Sequence, residues 1–110
     1  GEFYNFYEDD KIKLKELIVA PGKGMSFQKH YKRAEVWFVS KGSCSVMYSK
    51  DDPKNPEEIK LETDSVFLVN QEDWHQLINK TDKNCHIIEI QYGSETSEED
   101  IERLYYYKDN

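Results

Sequence analysis

The sequence predicts an all-β domain whose strands close into a sandwich or barrel. Three observations carry this expectation. Apolar residues recur in short runs with period-two alternation, turn residues separate those runs at brief intervals, and no run offers the length and single polar face of a globular helix. Eight to ten such strands in 110 residues would leave many sheet edges open, and closure hides them.

The elements follow in chain order. KIKLKELIVA alternates through Ile12 and Leu14, becomes continuously apolar from Leu17 to Val19, and ends in the turn PGKG. A short strand is expected at 25–29. In EVWFV, Glu35, Trp37 and Val39 share one face and Val36 and Phe38 the other, so both faces are covered beyond the first residue. SKG then turns the chain into a strand at 43–48. Residues 49–58 combine two prolines with charge and form an exposed hairpin loop. Strands resume at 59–61, 66–69, 75–79 and 85–92. In the tail, Thr96 and Glu99 have capping-box spacing, which predicts a short helical turn before RLYYY extends again.

Composition narrows the partners. Acidic residues number 22 against 15 lysines and arginines, and the net charge of -7 speaks against a nucleic-acid backbone or an anionic membrane. No apolar run approaches the ~18 residues of a spanning helix. The opening GEFYNFYEDD lacks the basic and then apolar order of a signal peptide, so a cytoplasmic location is expected. Cys44 and Cys85 lie in or beside apolar alternating stretches, and this favours reduced core thiols over a disulfide.

The chemistry centres on histidine. His30 opens the charged run HYKRAE, and His75 follows the polar turn NQED and Trp74. Alternation puts His30 and Lys32 on one face, whereas Lys32 and Glu35 need a bend to converge, which the polar YKRA can supply. His30, Glu35 and His75 then form a set of two histidines and one carboxylate, suited to zinc or, arranged facially, to nonheme iron. His86 shares a face with Ile88, Ile90 and Tyr92 and is read as a hydrogen-bonded barrel histidine outside that set.

The stretch VAPGKGMSFQKHYKRAEVWFVSKG, together with His75 and Asn79 and the closing IIEIQYGSETSEEDIERL, resembles the cupins. Within them it is similar to the domain of type II mannose-6-phosphate isomerases that is often fused to a mannose-1-phosphate guanylyltransferase. The resemblance spans almost the whole chain and is most specific at Arg33, Ala34, Glu35 and Trp37. It implies one cupin domain over 1–110, a double-stranded β-helix or jelly-roll-like barrel with a pocket at one end, with the helical turn and a tyrosine-rich extension at 96–110. It also implies a divalent metal, zinc, iron, manganese or nickel, on His30, Glu35 and His75. The second of the family's four ligand positions is occupied by Lys32, and Asn70 and Glu72 stand where proline and glycine are usual. A protonated lysine has no lone pair to give, so metal binding is expected to be weakened. Lys32 either swings outward or pairs with Glu35.

The implied activity is isomerisation or binding of a phosphorylated hexose in carbohydrate metabolism; the alternatives are a non-catalytic sugar-binding cupin and a nucleotide-sugar isomerase or epimerase. Expected catalytic groups are His75, Glu35 and Lys32, the last as an electrostatic substitute for metal. Arg33 reads either as a solvated residue or as a phosphate clamp, with Lys32 or Lys15 adding charge. Gln28 either contacts a sugar hydroxyl or braces the adjacent turn. Val36 and Phe38 on an outer face, with Tyr105, Tyr106 and Tyr107 in need of cover, predict a homodimer.

Overall fold

A computed structural model describes residues 2–107. It contains ten strands: β1 (Glu2–Glu8), β2 (Ile12–Val19), β3 (Phe27–Lys29), β4 (Arg33–Lys41), β5 (Cys44–Ser49), β6 (Glu57–Leu61), β7 (Val66–Val69), β8 (Trp74–Ile78), β9 (Cys85–Gly93) and β10 (Glu102–Tyr105). They form two five-stranded antiparallel sheets, ordered β1-β2-β9-β4-β7 and β10-β3-β8-β5-β6. The all-β expectation holds, and the architecture is the double-stranded β-helix of cupins.

The inward-facing residues of the first sheet change character along the strands, and this positions the site. On β2 they run Val19, Leu17, Lys15, Lys13; on β9, Cys85, Ile87, Glu89, Gln91; on β4, Val39, Trp37, Glu35, Arg33, and all are buried. The register aligns the changes, with Lys15 opposite Glu89, Trp37 opposite Glu89 and Glu35 opposite Gln91. One end of the interior is therefore a hydrophobic core, completed by Val46, Leu61, Val69 and Leu77, and the other end is lined with charge.

Two expectations are corrected, and one strand was not foreseen. Cys44 and Cys85 are joined in a disulfide, with Cα atoms 6.0 Å apart. Their strands lie in opposite sheets with both side chains inward, a juxtaposition that alternation within each strand does not reveal. The predicted helical turn at Thr96 is a hydrogen-bonded turn instead, because the Asp100 amide bonds back to the Ser97 carbonyl and the Asp100 carboxylate is drawn to the amides of Tyr31 and Lys32. The extension beyond it contains β10, which pairs with β3, and there Tyr105 stacks on Phe27 at 5.1 Å. Strand β1, unanticipated, runs exposed along the edge of the first sheet. Gly42, at φ +76°, has no room for a Cβ, which would lie 2.4 Å from the Asn84 carbonyl oxygen, so the turn after β4 requires glycine.

Candidate functional site

The site forms where the chain bends before β4. Asp100 fixes that bend, its carboxylate accepting from the Tyr31 and Lys32 amides at 3.0 and 2.8 Å. Its carbonyl, 2.7 Å from His30 Nδ1, accepts that nitrogen's proton. The inward Nε2 of His30 is thereby left with a lone pair. His75 is set the same way: Nδ1 donates to the Asp73 carbonyl at 3.0 Å, and the buried Nε2 has no hydrogen-bond partner among the described residues. Fixing one ring nitrogen so that the other presents its lone pair is how proteins prepare a histidine to ligate metal.

His30, Glu35 and His75 bring one potential ligand atom each to within 4.8 Å of the others, and all three residues are buried. His30 Nε2 and Glu35 Oε2 are 3.4 Å apart. Burial pushes both histidines down to about 4, Arg33 adding its positive charge at each, so both are neutral near pH 7. Neutral nitrogens and a carboxylate are suitable donors for zinc or iron. In chemistry the set fits a divalent ion.

A second cation already sits among these donors. Arg33, 4% exposed, turns inward from β4, and its Nε lies 3.1 Å from Glu35 Oε2. Its Nη2 lies 3.1 Å from the same oxygen and 3.1 Å from His30 Nε2. The Trp37 indole donates to Glu35 at 3.0 Å and to Glu89 at 3.1 Å. Burial, with the charge of Glu35, raises the Glu89 carboxyl above the usual carboxylate range. Beside this cluster, Lys13 and Lys15 are buried beneath Glu98, which lies 2.7 Å from Lys13 and 3.9 Å from Lys15.

The structure brings together His30, Arg33, Glu35 and His75, with Gln28 Nε2 3.5 Å from His30 Nε2 and its Oε1 accepting from Ser26. Lys15 stands 3.9 Å from Glu89. Lys32 does not join them: its ammonium is on the exposed surface, 2.8 Å from Glu95. Of its two expected positions the chain takes the outward one, so Lys32 brings no charge to the histidines. Glu89, Gln91 and Lys13 were missed by sequence reasoning. The alternation that placed Ile88, Ile90 and Tyr92 together left Glu89 and Gln91 on the opposite, inner face, and that was the available signal. His86 lies outside the cluster, 3.3 Å from Glu16.

Residues 1–106 match the family model described as mannose-6-phosphate isomerase C-terminal. The chain belongs to that family. Among curated relatives, a mannose-1-phosphate guanylyltransferase of Escherichia coli is 31% identical over 106 residues, 94% of this chain and 20% of the relative. The alginate biosynthesis protein AlgA of Pseudomonas aeruginosa is 34% identical over 94 residues, 86% of this chain and 18% of the relative. The domain thus spans about a fifth of these relatives' length. Among solved structures, the capsular polysaccharide assembling protein CapF of Staphylococcus aureus superposes with a TM-score of 0.77 at 17% identity, covering 94% of this chain and 31% of that one. A Klebsiella pneumoniae protein with a double-stranded β-helix domain gives 0.74 at 10% identity, covering 94% and 82%. These two likenesses bear on the fold alone.

Proposed function

We propose that the domain binds a phosphorylated hexose, with weak or absent isomerisation between mannose 6-phosphate and fructose 6-phosphate. One observation carries the reading: a member of this family holds two neutral histidines, a carboxylate and an arginine together at the polar end of its barrel. Aldose–ketose interconversion needs a base to move a proton between adjacent carbons and an electrophile for the developing oxyanion. With no ion held there, His75, through its Nε2, and Glu35 are the groups available for proton transfer. Arg33, Lys15 and Gln28 supply donors for phosphate and hydroxyl oxygens. A divalent ion on His30, Glu35 and His75 would supply Lewis-acid polarisation of the carbonyl. Lys32, facing solvent, has no part in this scheme.

The site is closed, with His30, Glu35 and His75 at 3%, 2% and 1% exposure, so entry requires movement of the segment 94–101 that bonds to His30 and covers Lys13. That closure places binding behind a movement of the chain. The test is a coupled assay in both directions with added divalent metals, together with calorimetric binding of mannose 6-phosphate. Saturable binding that weakens in Lys15→Ala, with turnover near background, is the expected result. Absence of both binding and turnover would reject the sugar-phosphate class, leaving a nucleotide sugar as the ligand to try next.

The proposal includes a homodimer and a cytoplasmic location. Among the described residues no helix is long and apolar enough to cross a membrane. The cysteine pair, 2% and 0% exposed, is shielded from cellular reductants while the barrel is folded. Fractionation of the producing cells tests the location, and recovery of the protein with membranes or in the medium would reject it.

A further inference from the structure

We propose that the Arg33 guanidinium and a divalent cation are mutually exclusive occupants of the His30–Glu35–His75 site, so that an ion can be held there only as the guanidinium leaves its place. The inference begins with His30. Its Nδ1 is committed to the Asp100 carbonyl, so Nε2 is an acceptor with a single lone pair in the ring plane. That lone pair faces the Arg33 guanidinium, whose Nη2 is 3.1 Å away. A metal ligated by the same nitrogen must approach along the same direction. Glu35 Oε2 meets the same conflict, since it accepts from both Nε and Nη2 of Arg33.

The spacing of two of the donors matches that of metal ligands, and the third lies within 4.8 Å of both. A tetrahedral zinc with bonds of ~2.0–2.2 Å separates its ligand atoms by roughly 3.3–3.6 Å. His30 Nε2 and Glu35 Oε2 are 3.4 Å apart, with the guanidinium bridging them. The third donor, His75 Nε2, is buried and has no hydrogen-bond partner among the described residues, which marks the place a cation would take if Arg33 withdrew. Nor can the guanidinium tolerate a dication beside it: Arg33 is buried, always charged, and without solvent to screen the repulsion. In this closed state the arginine balances the charge of Glu35, as the ion otherwise would.

The experiment uses cobalt(II) alone, followed by calorimetry and by visible absorption, so its outcome is independent of whether sugar phosphates bind. Arg33→Met keeps the buried stem and removes the charge. We expect it to bind cobalt at least ~10-fold more tightly than the wild type, and the gain to vanish when His75→Gln is added. Equal affinity in wild type and Arg33→Met, or no cobalt binding by the folded variant, would overturn the proposal. A second measurement needs no variant: in protein with ¹⁵N-labelled arginine, zinc (diamagnetic) at saturation should shift the Arg33 Nε–H resonance as its bond to Glu35 breaks. An unchanged resonance with zinc bound at the histidines would also overturn it.

Discussion

At the scale of single residues, burial is what sets the behaviour of the site. His30 and His75 are held neutral by desolvation, and folding therefore opposes their protonation. Between the ordinary histidine value and about 4, the unfolded chain binds protons that the folded chain refuses, so stability is complete above pH ~6.5 and falls as pH drops. The loss is on the order of 3 kcal/mol per histidine by pH 4. Glu89 acts in the opposite sense: its raised carboxyl makes folding cost more as pH climbs past the ordinary glutamate value, offsetting part of the histidine gain below neutrality. Urea denaturation from pH 4 to 7 should show a rising acid limb, flattened by His75→Gln. Lys32 gives a different prediction. Because Asp100 holds its amide and its side chain reaches Glu95, Lys32→His places the new ring outside the site, and cobalt affinity should change by less than about threefold. A gain comparable to that from Arg33→Met would show that the bend can turn residue 32 inward.

At the scale of elements, the turn between β7 and β8 combines a local strain with a site contact. Glu72 adopts φ 66°, a left-handed conformation that glycine reaches without steric cost. Its amide donates to the His30 carbonyl at 2.7 Å, so the unusual backbone is retained for a contact that braces the site. Glu72→Gly should raise stability by up to about 1 kcal/mol in urea denaturation, the relief of strain being partly offset by the freer unfolded chain. The bridge between β5 and β9 closes 41 residues of chain. In the chain-entropy account a loop of this length is worth about 3–4 kcal/mol. Cys44→Ala with Cys85→Ala should lose that amount, and alkylation of the denatured, unreduced wild type should find no free thiol.

For the whole molecule, the distribution of apolar surface separates one sheet from the other. The outer face of the sheet containing β4 carries Phe38, Val66, Leu68, Ile90 and Tyr92 at 38% to 65% exposure, on the three neighbouring strands β4, β7 and β9. A domain of this size buries only a modest core, and a second copy laid on that face would cover side chains that otherwise meet water. Ultracentrifugation at micromolar concentration should give a dimer, and Phe38→Glu with Leu68→Glu should give a folded monomer. A monomeric wild type would reject the interface. The same face lies on the far side of the sheet from Glu35 and Glu89, so the paired substitution should leave cobalt binding intact.

The sequence by itself determined the strand pattern and the shared face of Glu35 and Trp37, because alternation is a local property of the chain; His30, Glu35 and His75 were offered as one ligand set through the resemblance, which local alternation could not supply. The sequence also contained the motif that identifies the family. Only the tertiary structure decided which cation meets those ligands. Residues 32 and 33 are adjacent and both basic, and their directions depend on a bend held by Asp100, 68 residues from Lys32 in sequence. The pairing of Cys44 with Cys85 was undecided for the same reason, since it depends on which sheets face each other. Glu89 lay legibly on an inner face, yet its raised carboxyl arises from burial and from Glu35 on a neighbouring strand, which only the fold brings about. Long-range contacts of this kind have no counterpart in a local sequence pattern, and they are what make the end of this barrel a site.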